Sequence, residues 1–296
     1  MLHPNIPGFE IISRLGVGGM SVVWKAKETA TGNIFAIKIL NSEFTSNLED
    51  LEQFKREEFT MEKIDHPGIV KSYKLLNIGD TWCFIMEYID GYNFGQLLQR
   101  KQHLTEKDCL LICQSVAAAL DFVWDEYKVV HCDIKPENIM ITSRGEIKLT
   151  DLGLCHTFNS ISTEDVKISE HVLGTPAYVS PEQVYGDIQI DFRADIYSLA
   201  ATLYHLSTGR MIYPKLNSEE TMRAHCDENR RGKSPRHYRP ELSIQFCRLL
   251  ERMLVKDRNC RVGSWQEVFE LAQMVENNEE LPEREFLDSP SSIEPD

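Results

Sequence analysis

Four side chains of complementary chemistry lie close together near the middle of the sequence. Asp133, Lys135, Asn138 and Asp151 supply two carboxylates, an ammonium and an amide within 19 positions. Mg²⁺ prefers oxygen ligands beside substrate phosphates, a role that Asn138 and Asp151 can fill. Asp133 is then the carboxylate that can orient a hydroxyl nucleophile and accept its proton, and Lys135 can neutralise charge on a transferred phosphate. The set predicts phosphoryl transfer.

Two short apolar runs are suited to bring these side chains together. Residues 139–141 and 147–149 flank a Ser-Arg-Gly turn, a pattern typical of a β-hairpin. A hairpin brings its two ends close together, so Asp133 and Asn138 can face Asp151. An acidic surface hairpin is the alternative that carboxylates alone would suggest, but four filled roles disfavour it.

The composition is that of an ordinary globular protein with an acidic surface. The 296 residues are 42% hydrophobic and 26% charged, and 32 Lys and Arg against 46 Asp and Glu give a net charge of −14. This charge disfavours non-specific binding to nucleic acid or anionic membrane. The most apolar long segment, residues 110–124, falls short of the about 20 apolar residues that span a bilayer.

The first residues also lack the basic and then apolar pattern of a secretory signal. We therefore expect a cytoplasmic setting, either alone or as the cytosolic part of a longer protein. The eight cysteines form no Cys-x-x-Cys pair, so free thiols are expected rather than zinc ligands.

A glycine-rich loop lies inside the first predicted sheet. Residues 9–40 alternate and carry turn signals, which predicts three antiparallel strands. The loop Gly16-Val17-Gly18-Gly19-Met20-Ser21 lacks side chains where a backbone could approach phosphates. A dinucleotide-binding fold would require a helix straight after it, yet residues 22–24 continue as a strand. The pattern favours a lid over nucleotide phosphates.

The remaining elements follow from periodicity and turn signals. Predicted are a helix over 48–64, strands over 73–78 and 81–88, helices over 94–101, 106–127 and 194–206, and helices after Ser243 and Ser264. From residue 277 onward the chain is acidic with three prolines, which predicts disorder.

Several motifs in order resemble those of protein kinases. The run His131-Cys132-Asp133-Ile134-Lys135-Pro136-Glu137-Asn138, followed by Asp151-Leu152-Gly153, resembles their catalytic and metal-binding loops. The glycine loop, Ala36-Ile37-Lys38, the His66-Pro67 segment and residues 174–182 extend the resemblance over about 9–276. The closest likeness is to the eukaryotic-like serine/threonine kinases of bacteria.

This resemblance implies an α+β, bilobal protein kinase fold. Residues 1–88 would form a small antiparallel β lobe with one main helix, and residues 89–276 a larger, mostly α-helical lobe. The acidic tail would occupy residues 277–296.

The resemblance also implies an ATP site. Lys38 would hold the α- and β-phosphates and pair with a helical glutamate. Periodicity leaves Glu57 and Glu58 both open, and the distance from Pro67 typical of the family selects Glu57. Met86 would be the gatekeeper beside adenine, Glu87 and Ile89 would offer backbone hydrogen bonds, and Asn93 would lie near the ribose. The full implied nucleotide site is Gly16, Val17, Gly18, Gly19, Val23, Ala36, Lys38, Met86, Glu87, Ile89, Asn93 and Met140.

Three further contacts are implied around the catalytic stretch. Thr175 would contact Asp133 and Lys135, as in enzymes that phosphorylate serine or threonine. Asp195 would brace the loop at His131, and Arg261 would pair with Glu182.

Cys132 departs from the family, whose members usually carry an arginine there that can bind an activation-loop phosphate. We therefore hypothesise that activity does not require phosphorylation of that loop.

The resemblance as a whole implies transfer of the γ-phosphate of ATP to Ser or Thr hydroxyls of protein substrates, with Asp133 as base. The acidic surface suggests basic peptides. Two alternatives stay open. One is a pseudokinase, a nucleotide-binding scaffold without catalysis. The other is a small-molecule kinase, which the peptide-positioning segment 174–182 disfavours.

Overall fold

The computed structural model describes residues 4–18, 21–40, 61–79, 81–152, 174–187, 189–283 and 289–296. The chain divides into two compact units, Met1–Gly91 and Tyr92–Asp296. The division falls three residues after the boundary that the sequence predicts.

The first unit contains a five-stranded antiparallel sheet of order β1-β2-β3-β5-β4. Alternating apolar residues of the strands bury one face, where Ala26, Ile37, Cys83 and Ile85 pack together with Ile6. The three predicted strands of residues 9–40 and the later pair are confirmed. The strands are β1 (Phe9–Val17), β2 (Ser21–Glu28), β3 (Ile34–Leu40), β4 (Ser72–Ile78) and β5 (Thr81–Glu87).

The predicted helix over 48–64 lies outside the described residues up to residue 60. Its last part is described from Met61, and Met61 and Ile64 are both buried. Glu57, the predicted partner of Lys38, lies outside the described part of the chain.

The second unit combines a small three-stranded sheet of order β6-β7-β8 with helices. The strands of this sheet are β6 (Gly91–Asn93), which begins at the last residue of the first unit, β7 (Ile139–Thr142) and β8 (Ile147–Leu149). Its helices are α1 (Phe94–Lys101), α2 (Glu106–Tyr127), α3 (Pro181–Val184), α4 (Phe192–Thr208), α5 (Ser218–Cys226), α6 (Pro235–Tyr238), α7 (Ile244–Met253) and α8 (Trp265–Glu276).

Helix α4 runs through the core of this unit and is buried along most of its length. It begins at the Asp191 cap, whose carboxylate accepts the Arg193 N–H, and such caps satisfy donors that a helix start leaves unpaired. It ends at Gly209, where φ is +70° and a Cβ would lie 2.4 Å from the Gln102 carbonyl oxygen. Because α4 is fixed at both ends and buried between them, it is a rigid support for the loops that pack on its first turn.

The acidic tail differs from the prediction of disorder. Residues 277–283 and 289–296 are described, and Ser292 and Ile293 are 0% and 1% exposed. The Ser292 N–H donates to the Leu254 carbonyl at 2.9 Å, and Gly232 exchanges backbone hydrogen bonds with Ser292 and Glu294 at 2.8 Å. The prediction weighed the charge of the segment and overlooked that Ser291, Ser292 and Ile293 are uncharged and able to pack.

Candidate active site

The predicted hairpin is confirmed and joins the two halves of the catalytic stretch. Ile139 lies opposite Leu149 in the antiparallel β7–β8 pair. One residue further on, the Thr150 N–H donates to the Asn138 carbonyl at 2.8 Å. Asp151 follows directly with a left-handed φ of 55°, a conformation that Asp tolerates better than most side chains. The pairing therefore brings the backbone of Asp151 next to that of Asn138.

Asp133, Lys135 and Thr175 form a closed triangle of hydrogen bonds. Lys135 Nζ donates to Asp133 Oδ2 at 2.6 Å and to Thr175 Oγ1 at 2.9 Å. The Thr175 hydroxyl in turn donates to Asp133 Oδ1 at 2.9 Å. Hydrogen bonds between charged groups are shorter and about twice as strong as neutral ones. Each oxygen of the largely buried Asp133 carboxylate thus has a fixed donor.

Asn138 is anchored to the same carboxylate. Its Nδ2 donates to the Asp133 carbonyl oxygen at 2.8 Å and to Asp133 Oδ2 at 3.1 Å. Both hydrogen bonds of this buried amide use its nitrogen, so its carbonyl oxygen is the atom suited to be a ligand. An amide oxygen held here, with the Asp151 carboxylate following the hairpin, is a donor set of the kind Mg²⁺ prefers.

Asp195, on the first turn of α4, holds the backbone just before Asp133. Its two carboxylate oxygens accept the His131 N–H at 2.6 Å and the Cys132 N–H at 2.8 Å. These two donors replace water for a carboxylate that is 1% exposed. Burial nevertheless raises the pKa of Asp195 to about 6, and the bonds from His131 and Cys132 limit the rise. The predicted bracing contact is present.

The His131 ring ties this backbone to the hairpin. Its Nδ1 accepts the Asp133 N–H at 3.2 Å, while Nε2 lies 2.9 Å from the Thr150 carbonyl. Because Nδ1 accepts, Nε2 carries the proton and donates to Thr150. Cys132, between His131 and Asp133, adopts φ 63°. This left-handed conformation costs about 1 kcal/mol or more for a side chain of this type.

Two residues that the sequence reasoning did not assign bring the segment around Thr175 against the backbone of Cys132. Gln183 donates from Nε2 to the Cys132 carbonyl at 2.8 Å. Gly174 has φ +117°, and a Cβ there would lie 3.0 Å from the same carbonyl oxygen. The loop before Thr175 therefore passes so close to the catalytic backbone that only glycine fits without strain. The sequence signal available for Gly174 was a Gly directly before a Thr, whereas no local signal points to Gln183.

The predicted Glu182–Arg261 pair is present and buried. Arg261 donates to both carboxylate oxygens, at 2.6 and 3.1 Å, and its Nε donates to the Val255 carbonyl at 2.9 Å. The Arg261 side chain is 0% exposed. This bidentate pair anchors the end of the segment that carries Thr175.

The predicted nucleotide residues of the first unit lie on its sheet. Gly16 and Lys38 lie opposite Val23 on either side of β2, and Met86 lies opposite Ala36. Val17 is 65% exposed, and the Gly18 N–H donates to the Ser21 carbonyl at 2.8 Å across the glycine loop. Gly19 lies outside the described residues.

Other predicted positions carry structural bonds of their own. The Glu87 N–H donates to the Lys71 carbonyl at 2.9 Å, so a bond from Glu87 to adenine would use its carbonyl oxygen. Ile89 is buried. Asn93 caps α1, since its Oδ1 accepts the Gln96 N–H at 2.8 Å. Met140 lies opposite Lys148 in the hairpin.

Comparison with known proteins agrees with this geometry. Residues 9–274 match the protein kinase domain model. A probable serine/threonine-protein kinase of Clostridium acetobutylicum is 30% identical over 278 residues, which cover 94% of this chain and 41% of the relative. PknA of Corynebacterium glutamicum is 32% identical over 259 residues, covering 86% and 53%. PrkC of Bacillus subtilis is 33% identical over 203 residues, covering 69% and 31%.

The fold likeness extends to solved structures. The crystal structure of the Mycobacterium tuberculosis PknI kinase domain has a TM-score of 0.70 at 24% identity and covers 91% of this chain and 97% of that domain. The chain belongs to the protein kinase domain family. The predicted α+β kinase fold and the likeness to bacterial serine/threonine kinases are confirmed. The chain spans about a third to a half of the length of the curated relatives it matches.

Within the described ranges, no helix combines the length and apolar character needed to cross a bilayer. The cysteines at 83, 109, 113, 132, 226, 247 and 260 are free thiols.

Proposed function

We propose that this chain is a serine/threonine protein kinase that transfers the γ-phosphate of ATP to a Ser or Thr hydroxyl of a protein substrate. The observation that carries the proposal is the triangle of Asp133, Lys135 and Thr175. It fixes a buried carboxylate with one face committed to a lysine and a threonine, which is the organisation a base for a hydroxyl nucleophile requires.

The proposed step assigns one task to each side chain. Asp133 orients the substrate hydroxyl and takes its proton as the new bond from oxygen to the γ-phosphorus forms. The bond from that phosphorus to the bridging oxygen breaks, and ADP leaves with the electron pair. Lys135 neutralises charge on the phosphoryl group in transit, while Thr175 holds both partners in register.

The residues of the second unit fit a divalent cation. Asn138 and Asp151 would hold it, since Asn138 offers an anchored amide oxygen and Asp151 a carboxylate one residue after the backbone hydrogen bond from Thr150 to Asn138. Mg²⁺ so placed would neutralise phosphate charge. Members of this family use ATP, typically with Mg²⁺. In the first unit the proposed nucleotide contacts are the glycine loop, Lys38 with Glu57, and the backbone of residues 87–89.

A pseudokinase is the alternative, and the filled roles argue against it. Lys135 and Asn138 each donate a hydrogen bond to the Asp133 carboxylate, an arrangement that a scaffold without chemistry does not need. The segment from Gly174 to Glu182, held by Gln183 and Arg261, supports a protein substrate over a small molecule. We place the reaction in the cytoplasm, a reducing setting that suits the free thiols of the described cysteines.

The cysteine at position 132 argues that the enzyme is active without phosphorylation of the activation loop. Its side chain is buried and its N–H is committed to Asp195, and a thiol cannot bind a phosphate as a guanidinium does. Treatment with a phosphatase before the assay should leave most activity in place. Loss of most activity would overturn this part of the proposal.

A phosphate-transfer assay with the full chain, radiolabelled ATP and a generic basic protein tests the function directly. Label should enter serine and threonine of the substrate, identified by phosphoamino acid separation. The variant Asp133→Asn should lose transfer, whereas Asp125→Asn, an exposed aspartate at the end of α2, should match the unmodified chain. Transfer by Asp133→Asn at an unchanged rate would mean that the base is misassigned, and no transfer by the unmodified chain would favour the pseudokinase.

A further inference from the structure

A chain of buried hydroxyl and imidazole groups runs beneath the loop that carries Thr175. Tyr197 Oη lies 2.6 Å from His225 Nδ1 and 2.6 Å from Ser292 Oγ. All three residues are 0% exposed. They come from α4, α5 and the C-terminal segment, so this cluster joins three parts of the second unit that are distant in sequence.

The His225 ring lies near the substrate loop. Among the described residues, His225 Nε2 is the buried side-chain nitrogen that has no hydrogen-bond partner. Backbone groups of Pro176 and Ala177, directly after Thr175, act on this imidazole. The neighbouring Cys226 Sγ donates to the Pro181 carbonyl at 3.9 Å, so the end of α5 lies against the end of the same segment.

The hydrogen bonds of the cluster can take one consistent direction. Burial and the charge of Lys256 lower the pKa of His225 to about 3, so the ring is neutral and carries a single proton. Because Tyr197 lies at Nδ1, the nearby backbone carbonyls of Pro176 and Ala177 favour that proton on Nε2. Nδ1 then accepts the Tyr197 O–H, and the Tyr197 oxygen accepts the Ser292 O–H. In this direction Ser292 and Tyr197 reinforce the His225 tautomer that the carbonyls favour.

Ser292 is held in place by the backbone around it. Its N–H donates to the Leu254 carbonyl, and its carbonyl accepts the Gly232 N–H and the Tyr213 hydroxyl at 3.2 Å. Further along the segment, Asp296 forms an ion pair with Arg236 at 2.9 Å. Residues 289–296 therefore form a clip, a short segment fastened at several points across the helices.

We propose that the clip and the Tyr197–His225 pair position the loop 174–179 for the acceptor segment of a protein substrate. The proposal rests on the proposed function, whose peptide-binding loop it extends. The N–H at His225 Nε2 can donate a hydrogen bond to the carbonyl of Pro176 or Ala177. This bond fixes the conformation of the loop when substrate binds. Tyr197, His225 and Ser292 are positioning residues, because they act through the loop and touch no reacting atom.

Steady-state kinetics with Tyr197→Phe and Ser292→Ala test this role. Without the Tyr197 hydroxyl, Nδ1 has no donor, so the proton can also occupy Nδ1 and the loop loses its donor for part of the time. The KM for a peptide substrate should rise roughly 2- to 10-fold, the effect of one hydrogen bond, while kcat and the KM for ATP stay within about twofold. Ser292→Ala should change in the same direction by less.

A matched control comes from the same helix. Ser207 is buried in α4 and its hydroxyl donates to the Tyr204 carbonyl at 3.1 Å, with no bond to the clip or to the Tyr197–His225 pair. Ser207→Ala should leave the KM for peptide unchanged. An equal rise in Ser207→Ala, or a joint change of both KM values and kcat, would indicate general loss of structure and overturn the proposal.

Hydrogen exchange separates this inference from the proposed function. Amides of residues 174–181 should exchange faster in Tyr197→Phe and Ser292→Ala than in the unmodified chain or in Ser207→Ala. This readout needs no activity, so it decides the loop contact even if the chain phosphorylates no substrate. Unchanged exchange in both variants would refute the positioning role whatever the kinetics of the unmodified chain.

Discussion

Replacing Thr175 by valine removes one hydroxyl from the centre of the proposed active site. Valine has nearly the same shape, so the packing of the loop should survive. The change deletes the bond to Asp133 Oδ1 and the bond from Lys135, each 2.9 Å long. The direct Lys135–Asp133 contact at 2.6 Å remains, so the carboxylate keeps part of its orientation.

The size of the effect follows from the charge of the partners. A hydrogen bond to a charged group contributes about 1.5–3 kcal/mol, and 1.36 kcal/mol is about a factor of ten in rate. Since the remaining contact offsets part of the loss of two such bonds, we expect kcat to fall about 10- to 100-fold. The KM for ATP should change little.

The assay is phosphate transfer to a peptide at saturating ATP. Thr175→Ser keeps the hydroxyl and should stay within about threefold of the unmodified chain, which makes it the matched control. A Thr175→Val enzyme with wild-type kcat would refute the claim that the triangle organises the base. An equal loss in Thr175→Ser would assign the effect to loop packing instead.

Three further predictions concern the supports of the site. Arg261→Ala should lower the free energy of unfolding by about 3–5 kcal/mol in urea denaturation, because it leaves Glu182 charged and buried, and a change below 1 kcal/mol would contradict this. Gly174→Ala should cost about 1–3 kcal/mol of stability, since φ +117° and the Cys132 carbonyl resist a Cβ, and unchanged stability would show that the loop is free to move. Burial raises the pKa of Asp195 from 3.8 to about 6, so on acidification the folded state binds this proton at a higher pH than the unfolded state does. This group should therefore add stability below pH 3.8 and lose it as pH rises through 6, so Asp195→Asn should lack up to about 3 kcal/mol of that pH dependence. Equal pH slopes of the two unfolding free energies would refute the assignment.

The hairpin and the four chemical side chains were predictable because both signals are local. Short apolar runs around a turn specify the β7–β8 pair, and residue type alone specifies the chemistry of Asp133 and Asn138. The contact of Thr175 with Asp133 spans 42 positions, so only the family resemblance could anticipate it.

The parts that sequence reasoning missed depend on long-range packing. Gln183 reaches the Cys132 carbonyl across 51 positions, and Ser292 reaches Tyr197 across 95. The tail was predicted to be disordered because charge counts do not reveal which backbone groups a segment will meet. The capping of α1 by Asn93 was also missed, although capping is natural for this residue type, and its place near the ribose stays a prediction.

A crystal structure with a non-hydrolysable ATP analogue, Mg²⁺ and a serine peptide would show whether these side chains meet at one phosphate. We expect a cation bound at about 2.0–2.1 Å by Asn138 Oδ1 and the Asp151 carboxylate. We also expect the peptide hydroxyl within about 2.6–3.2 Å of an Asp133 oxygen. Carboxylates of Asp133 and Asp151 that point into separate cavities and share no ligand would contradict it.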